Sequence, residues 1–79
     1  MSTLTPLSWK TDDHVTAFAD AMRDKLAVKQ PLYGDAYDED APTTGLTIRK
    51  MLAKNIADQD WVDVANLAMM LWVRENRGK

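Results

Sequence analysis

Apolar side chains recur along this chain at three- and four-residue steps in three places, which predicts three helices. Val15, Phe18, Ala19, Met22 and Leu26 share one face of a first helix over about residues 12–29. Asp20, Arg23, Asp24 and Lys25 fall largely off that face. Thr11 is placed to cap it, Asp12 and Asp13 suit its positive end, and Pro31 is expected to stop it. Ile48, Met51, Leu52 and Ile56 mark a second helix over about residues 45–57, with Thr44 or Thr47 as candidate cap. Arg49, Lys50 and Lys54 are turned toward water there. The third helix runs over about residues 60–76, with Arg74 and Arg77 in a favourable last turn and Gly78 beyond.

The third helix differs from the others. Trp61, Val64, Ala65, Ala68, Leu71 and Trp72 form one face, but Leu67, Met69, Met70 and Val73 lie on others, and between Val64 and Val73 only Asn66 is polar. A helix apolar all round is buried all round. Two partner helices and a loop cannot readily cover it within one chain, and each large side chain left wet forgoes about 1.5–3 kcal/mol of burial. Helix 3 is therefore expected to be central, with Trp72 in the core, and to lie in a twofold homo-oligomer interface. The competing reading is that the long loop folds over the surplus face.

Residues 1–10 read as an extended lead-in, with Pro6 opposing early helix and Trp9 as an anchor. Residues 30–45 hold two prolines, two glycines and four acids without periodicity, so they read as a loop that Leu32, Tyr33 and Tyr37 tack onto the helices. The turn near Asp58 and Gln59 is short, as between antiparallel neighbours. The expected fold is all-α: a three-helix antiparallel bundle with one long loop between helices 1 and 2.

At 79 residues the chain is one domain. A domain of that size buries only about 60% of its unfolded surface, which again favours association. With no cysteine and one histidine, His14, disulfides, thiolate sites and zinc are not expected. The net charge is −2 with signs interspersed, so there is no basic stripe for nucleic acid. The first residues lack a signal-peptide pattern, and the run from Val64 to Val73 is shorter than the roughly 20 residues that cross a bilayer. A soluble, cytoplasmic protein is expected. Neither a nucleophilic arrangement nor a glycine-rich phosphate loop is present.

The candidate chemistry gathers at the start of helix 3. Asp60 and Asp63 have the spacing of a capping box, with an acid three residues after the cap. The same two carboxylates are also the candidate metal ligands. Asn66 follows on an otherwise apolar surface and needs hydrogen-bond partners once buried.

The segment DWVDVANLAMMLW, with Asp63, Val64, Ala65 and Asn66 leading into the apolar run, resembles the last core helix of MazG-like all-α nucleoside triphosphate pyrophosphohydrolases. FADAMRDKLAVKQ is similar to the lead helix of the shorter phage and bacterial relatives of that group. IRKMLAKNIADQDWVDVANLAMMLWVR is similar to their compact two-helix end, and the resemblance covers about two thirds of the chain. In those enzymes an E-x-x-E pair and an E-x-x-D pair hold magnesium on a triphosphate and activate water. Here the second pair survives in reduced form as Asp60 and Asp63. The helix that should carry the first pair reads IRKMLAKNIA, with Arg49, Lys50 and Lys54 and no acid. Asp38, Glu39 and Asp40 in the loop fail the EF-hand pattern.

The resemblance thus implies a non-catalytic relative of phage origin: a helical homo-oligomer, without cofactor, that binds or sequesters a nucleotide or nucleotide-like signal in the host cytoplasm. Arg49, Lys50, Lys54, Trp61 and Asn66 are its candidate nucleotide-binding residues. The first alternative is a reduced magnesium-dependent pyrophosphohydrolase using Asp60 and Asp63. The second is a protein-interaction module acting on a host factor.

Overall fold

A computed structural model describes residues 5–33, 37 and 42–76, apart from the side chains of residues 32, 33 and 42. Among these residues the chain is all-α, in the order α1 (Trp9–Tyr33), α2 (Pro42–Ala57) and α3 (Trp61–Asn76), with no strand. Tyr37 alone is described between α1 and α2, so the acidic run Asp38, Glu39 and Asp40 lies outside the described residues. Arg77 and Gly78 lie outside them too.

α1 is longer than its pattern predicts at both ends. Ser8, rather than Thr11, caps it: Ser8 Oγ accepts the Thr11 amide at 3.2 Å, and the Ser8 carbonyl accepts the Asp12 amide at 2.9 Å. Trp9 therefore opens the helix instead of anchoring a lead-in, and it is 77% exposed. At the other end Pro31 lies inside the last turn. Proline forfeits the bond to the carbonyl four residues back, and the helix stops within that turn. α2 starts at Pro42 rather than near Gly45. Proline suits a first helical position, because the amide it lacks has no intrahelical partner there.

The turn from α2 to α3 is closed by backbone bonds. The Gln59 amide donates to the Ile56 carbonyl at 3.1 Å, and the Asp60 amide donates to the Asn55 carbonyl at 3.0 Å. These two bonds form a Schellman end, which requires a left-handed residue at its centre. Gln59 takes that conformation, with φ 58°, where glycine is the usual choice. The next residue starts α3: Asp60 Oδ1 accepts the Asp63 amide at 3.2 Å, and its carbonyl accepts the Val64 amide at 2.9 Å. One residue thus ends one helix and caps the next.

α3 packs against both other helices and most closely against α2. Ile48 of α2 and Leu67 of α3, 5% and 6% exposed, are the buried apolar residues among those described. The inward side of α3 is not the one its pattern suggests. Asn66 and Leu67 are buried, while Trp61, Ala68 and Trp72 are exposed. Trp72, expected in the core, is 64% exposed. Hydrophobicity alone could not orient a helix that is apolar all round, and the positions of α1 and α2 select the Asn66–Leu67 side.

The first ten residues of α1, Trp9 to Phe18, are all exposed. Its second half meets α3 through Met22, Lys25 and Lys29. The chain exposes 6367 Å², against about 4,800 Å² for a compact chain of 8.9 kDa. The radius of gyration is 14.6 Å, against about 12 Å for a compact domain of this length. No helix is long and apolar enough to cross a membrane among the described residues.

Candidate functional site

α1 and α2 flank α3 without closing over it, and the space left is a cleft of about 570 Å³. Leu26, Ile48, Met51, Leu67 and Met70 give it an apolar lining. Thr43, Thr44, Thr47 and Asn55 line the α2 side, Lys29 and Gln30 the α1 side, and Tyr37 also borders it. Asp63 and Asn66 come from α3, one turn apart on the side facing the cleft.

Asn66 is 4% exposed. Its Nδ2 donates to the Met22 carbonyl at 3.2 Å, tying α3 to α1. Its Oδ1 is buried and has no hydrogen-bond partner among the described residues. A buried acceptor left unmade costs about 1–3 kcal/mol, so such atoms are rare in folded proteins.

The acidic pair at the start of α3 meets two lysines of α1. Lys25 Nζ lies 2.9 Å from Asp60 Oδ2, 3.1 Å from Asp60 Oδ1 and 3.2 Å from Asp63 Oδ1. Lys29 Nζ lies 3.7 Å from Asp63 Oδ2. The hydrogen bond from Lys25, and then the amide of Asp63, hold the Asp60 carboxyl below its ordinary range. The bond to Asp60 in turn holds the Lys25 ammonium above its ordinary value, against the opposing effect of desolvation. Two carboxylates thus face two ammonium groups, and the local charge is close to nil. Among the described residues no group of three or more His, Cys, Asp or Glu side chains is placed to hold a metal ion. Magnesium takes several hard oxygen ligands, and here the carboxylates of Asp60 and Asp63 are both engaged by lysine.

The remaining candidates from the sequence are dispersed. Arg49 points away from the cleft and pairs with Glu75 of α3 at 3.3 Å. It lines a separate depression of about 270 Å³ with Gly45, Leu46, Leu71 and Arg74. Lys54 pairs with Asp58 at 3.1 Å on the surface, and Lys50 is exposed. Trp61 is 56% exposed and does not line the cleft. Of the five candidate nucleotide-binding residues only Asn66 lines it, beside Asp63 of the acidic pair.

Lys25 and Lys29 were missed as site residues. Lys25 was expected off the apolar face of helix 1, yet it is half-buried against α3. The signal lay in the spacing: Lys25 and Lys29 are four apart and so share one side of the helix, and Lys29 is three residues beyond Leu26, at the edge of the apolar stripe. Protein-family models, curated proteins and solved structures offer no match to this chain.

Proposed function

We propose that this chain is a non-catalytic helical binding protein that takes a nucleotide or nucleotide-like small molecule into the cleft between α1 and α2. The observation that carries this reading is the carbonyl of Asn66: a buried acceptor without a partner, on a residue that lines an apolar cleft. A ligand with an N–H or O–H donor that displaces the side chains covering this atom recovers the lost hydrogen bond. A heteroaromatic base offers both an apolar face and such a donor. Lys29 lines the cleft, and a phosphate carried by the same ligand would have to compete with Asp63, 3.7 Å away, for its ammonium group.

The acidic pair supports the non-catalytic reading over a magnesium-dependent hydrolase. Asp60 and Asp63 are engaged by lysine, and a metal would have to displace both ammonium groups. The resemblance to MazG-like proteins is retained as part of the proposal, on the Asp63-Val64-Ala65-Asn66 stretch, whose Asp63 and Asn66 line the cleft. The proposal also includes an antiparallel bundle that associates with further copies through α3, whose Trp61, Ala68 and Trp72 are turned away from its neighbours.

Thermal shift with a panel of nucleosides and nucleotides tests the reading, since a ligand that binds the native state raises apparent stability by mass action. A shift is expected that disappears in Asn66→Leu and persists in Lys50→Ala. Without ligand, Asn66→Leu removes both the unpaired acceptor and the bond to the Met22 carbonyl, two opposing effects of about 1 kcal/mol each, so its stability should stay within about 1 kcal/mol of the parent. No shift with any member of the panel, or a shift undiminished in Asn66→Leu, overturns the proposal. Release of pyrophosphate that vanishes in Asp63→Ala would replace it with the hydrolase.

A further inference from the structure

Arg74 stands in the last turn of α3, where its charge suits the helix end, but its side chain reaches further than that role requires. Its Nη1 donates to the main-chain carbonyl of Tyr37 at 2.9 Å, in a partly buried bond. Its Nε and Nη2 pass over the first turn of α2, each 3.5 Å from where a β-carbon would stand on Gly45. One guanidinium thus lies against α2 and fixes a point in the connection between α1 and α2. Its planar fork of N–H donors suits a site where one group must meet several neighbours at once.

The residue held in this way borders the cleft, and it is the aromatic one among the described residues that line it. Leu26, Ile48, Met51, Leu67 and Met70 offer aliphatic and thioether contacts but no π-face. Arg74 itself lines the separate depression of about 270 Å³ and not the cleft. The bond from Arg74 goes to the main chain of Tyr37, so it fixes the residue without engaging the phenol ring. We infer that a ring of the ligand stacks on Tyr37, and that Arg74 is a positioning residue that holds Tyr37 at the cleft from outside. This rests on the reading of the cleft as a small-molecule site and adds a preference for planar rings. A connecting residue pinned before the ligand arrives need not be ordered by it, and such pre-organisation raises affinity without any contact to the ligand.

Calorimetric titration of the common ribonucleosides and their 5′-monophosphates into the parent chain and its variants tests this. Tyr37→Ala is expected to weaken binding roughly tenfold or more, while Tyr37→Phe, which keeps the ring and the main-chain acceptor, holds it within about twofold. Arg74→Met keeps the length of the side chain and removes its donors. It is expected to weaken binding roughly three- to tenfold although it lies outside the cleft. In the Tyr37→Ala background the same change is expected to add little, because the two residues act as one unit. Losses that simply add, or binding indifferent to Tyr37→Ala, overturn the inference and leave the cleft standing. If no titrant binds the parent, the reading of the cleft falls and the inference falls with it. A measurement without titrant separates positioning from a general loss of fold. Nitration of Tyr37, followed by mass spectrometry, is expected to be several-fold faster in Arg74→Met at unchanged helix content by circular dichroism. An unchanged rate overturns the role of Arg74.

Discussion

α2 and α3 are joined by apolar burial and by a turn in which each residue has a backbone task. Among the described residues, the polar contacts of α1 with α3 include two lysines on an acidic pair and one side-chain amide, beside the partly buried Met22 and Leu26. Ile48 and Leu67 are buried on the α2–α3 pair, and Gln59 and Asp60 close the connection within a few residues. On the other side, Lys25, Lys29 and Asn66 make polar contacts between α1 and α3. Burial holds two helices together without choosing a register, and the short turn supplies the register. Ion pairs and an amide choose a register but add little cohesion when half exposed. A helix held in that way leaves an open cleft on one side and a free half on the other.

The apolar attachment is the stronger of the two. Leu67→Ala should cost about 2–4 kcal/mol in urea unfolding, the largest effect expected, because the residue is buried between α3 and its neighbours. A loss well under 1 kcal/mol would mean that the α2–α3 pair is not the apolar centre of the fold.

Asp60 serves both attachments, since it caps α3 and pairs with Lys25 at once. Asp60→Ala removes both roles, whereas Asp60→Asn keeps a cap oxygen and removes the charge. The denaturation midpoint should fall further in the alanine variant. In the asparagine variant the loss should show chiefly as faster amide exchange in the second half of α1, with α2 protected as before. Equal loss of protection across all three helices would show α1 to be part of one cooperative unit.

The same attachment has a pH signature. Asp60 is held below its ordinary carboxyl range, so its contribution is complete above that range and is lost as pH falls through the lowered value. Lys25 is held above its ordinary value, so its contribution is complete below that value and is lost as pH rises through the raised one. Protection of α1 should therefore be flat through neutral pH and fall at both extremes, before α2 loses its own. Hydrogen exchange followed across pH checks this, and a loss centred near neutrality would point to another group.

The smallest effect is expected at the turn. Gln59→Gly relieves a left-handed non-glycine residue and should stabilise by about 0.5–1 kcal/mol, read from the urea midpoint. A destabilised variant would mean that the Gln59 side chain contributes more than its backbone strain costs.

Much of the fold was legible in the residues. Three helices were written in the spacing of apolar positions, and the short turn before α3 was written in Asp58, Gln59 and Asp60. The cap role of Asp60 followed from an acid three residues further on. The helix ends were read less well. Ser8 out-competed Thr11 as a cap, and Pro31 was carried inside the last turn, because several residues at a boundary can serve and packing chooses among them. The candidate site was only partly legible. Asn66 stood out as the one polar residue in an apolar run, and Asp63 as an acid beside it. Lys25 and Lys29 did not stand out, since a lysine looks the same in sequence whether its ammonium meets water or a carboxylate.

What the amino-acid order determined by itself was local: which segments become helical, where one turn must be tight, and that α3 has more apolar surface than two neighbours can cover. Those are matters of spacing and backbone chemistry, which act over a few residues. Which side of α3 faces inward was settled only in three dimensions, and so were the exposure of Trp72, the meeting of Lys25 with Asp60 and the burial of the Asn66 carbonyl. Each depends on where another helix lies, and an all-round apolar helix carries no local preference by which that direction could be read.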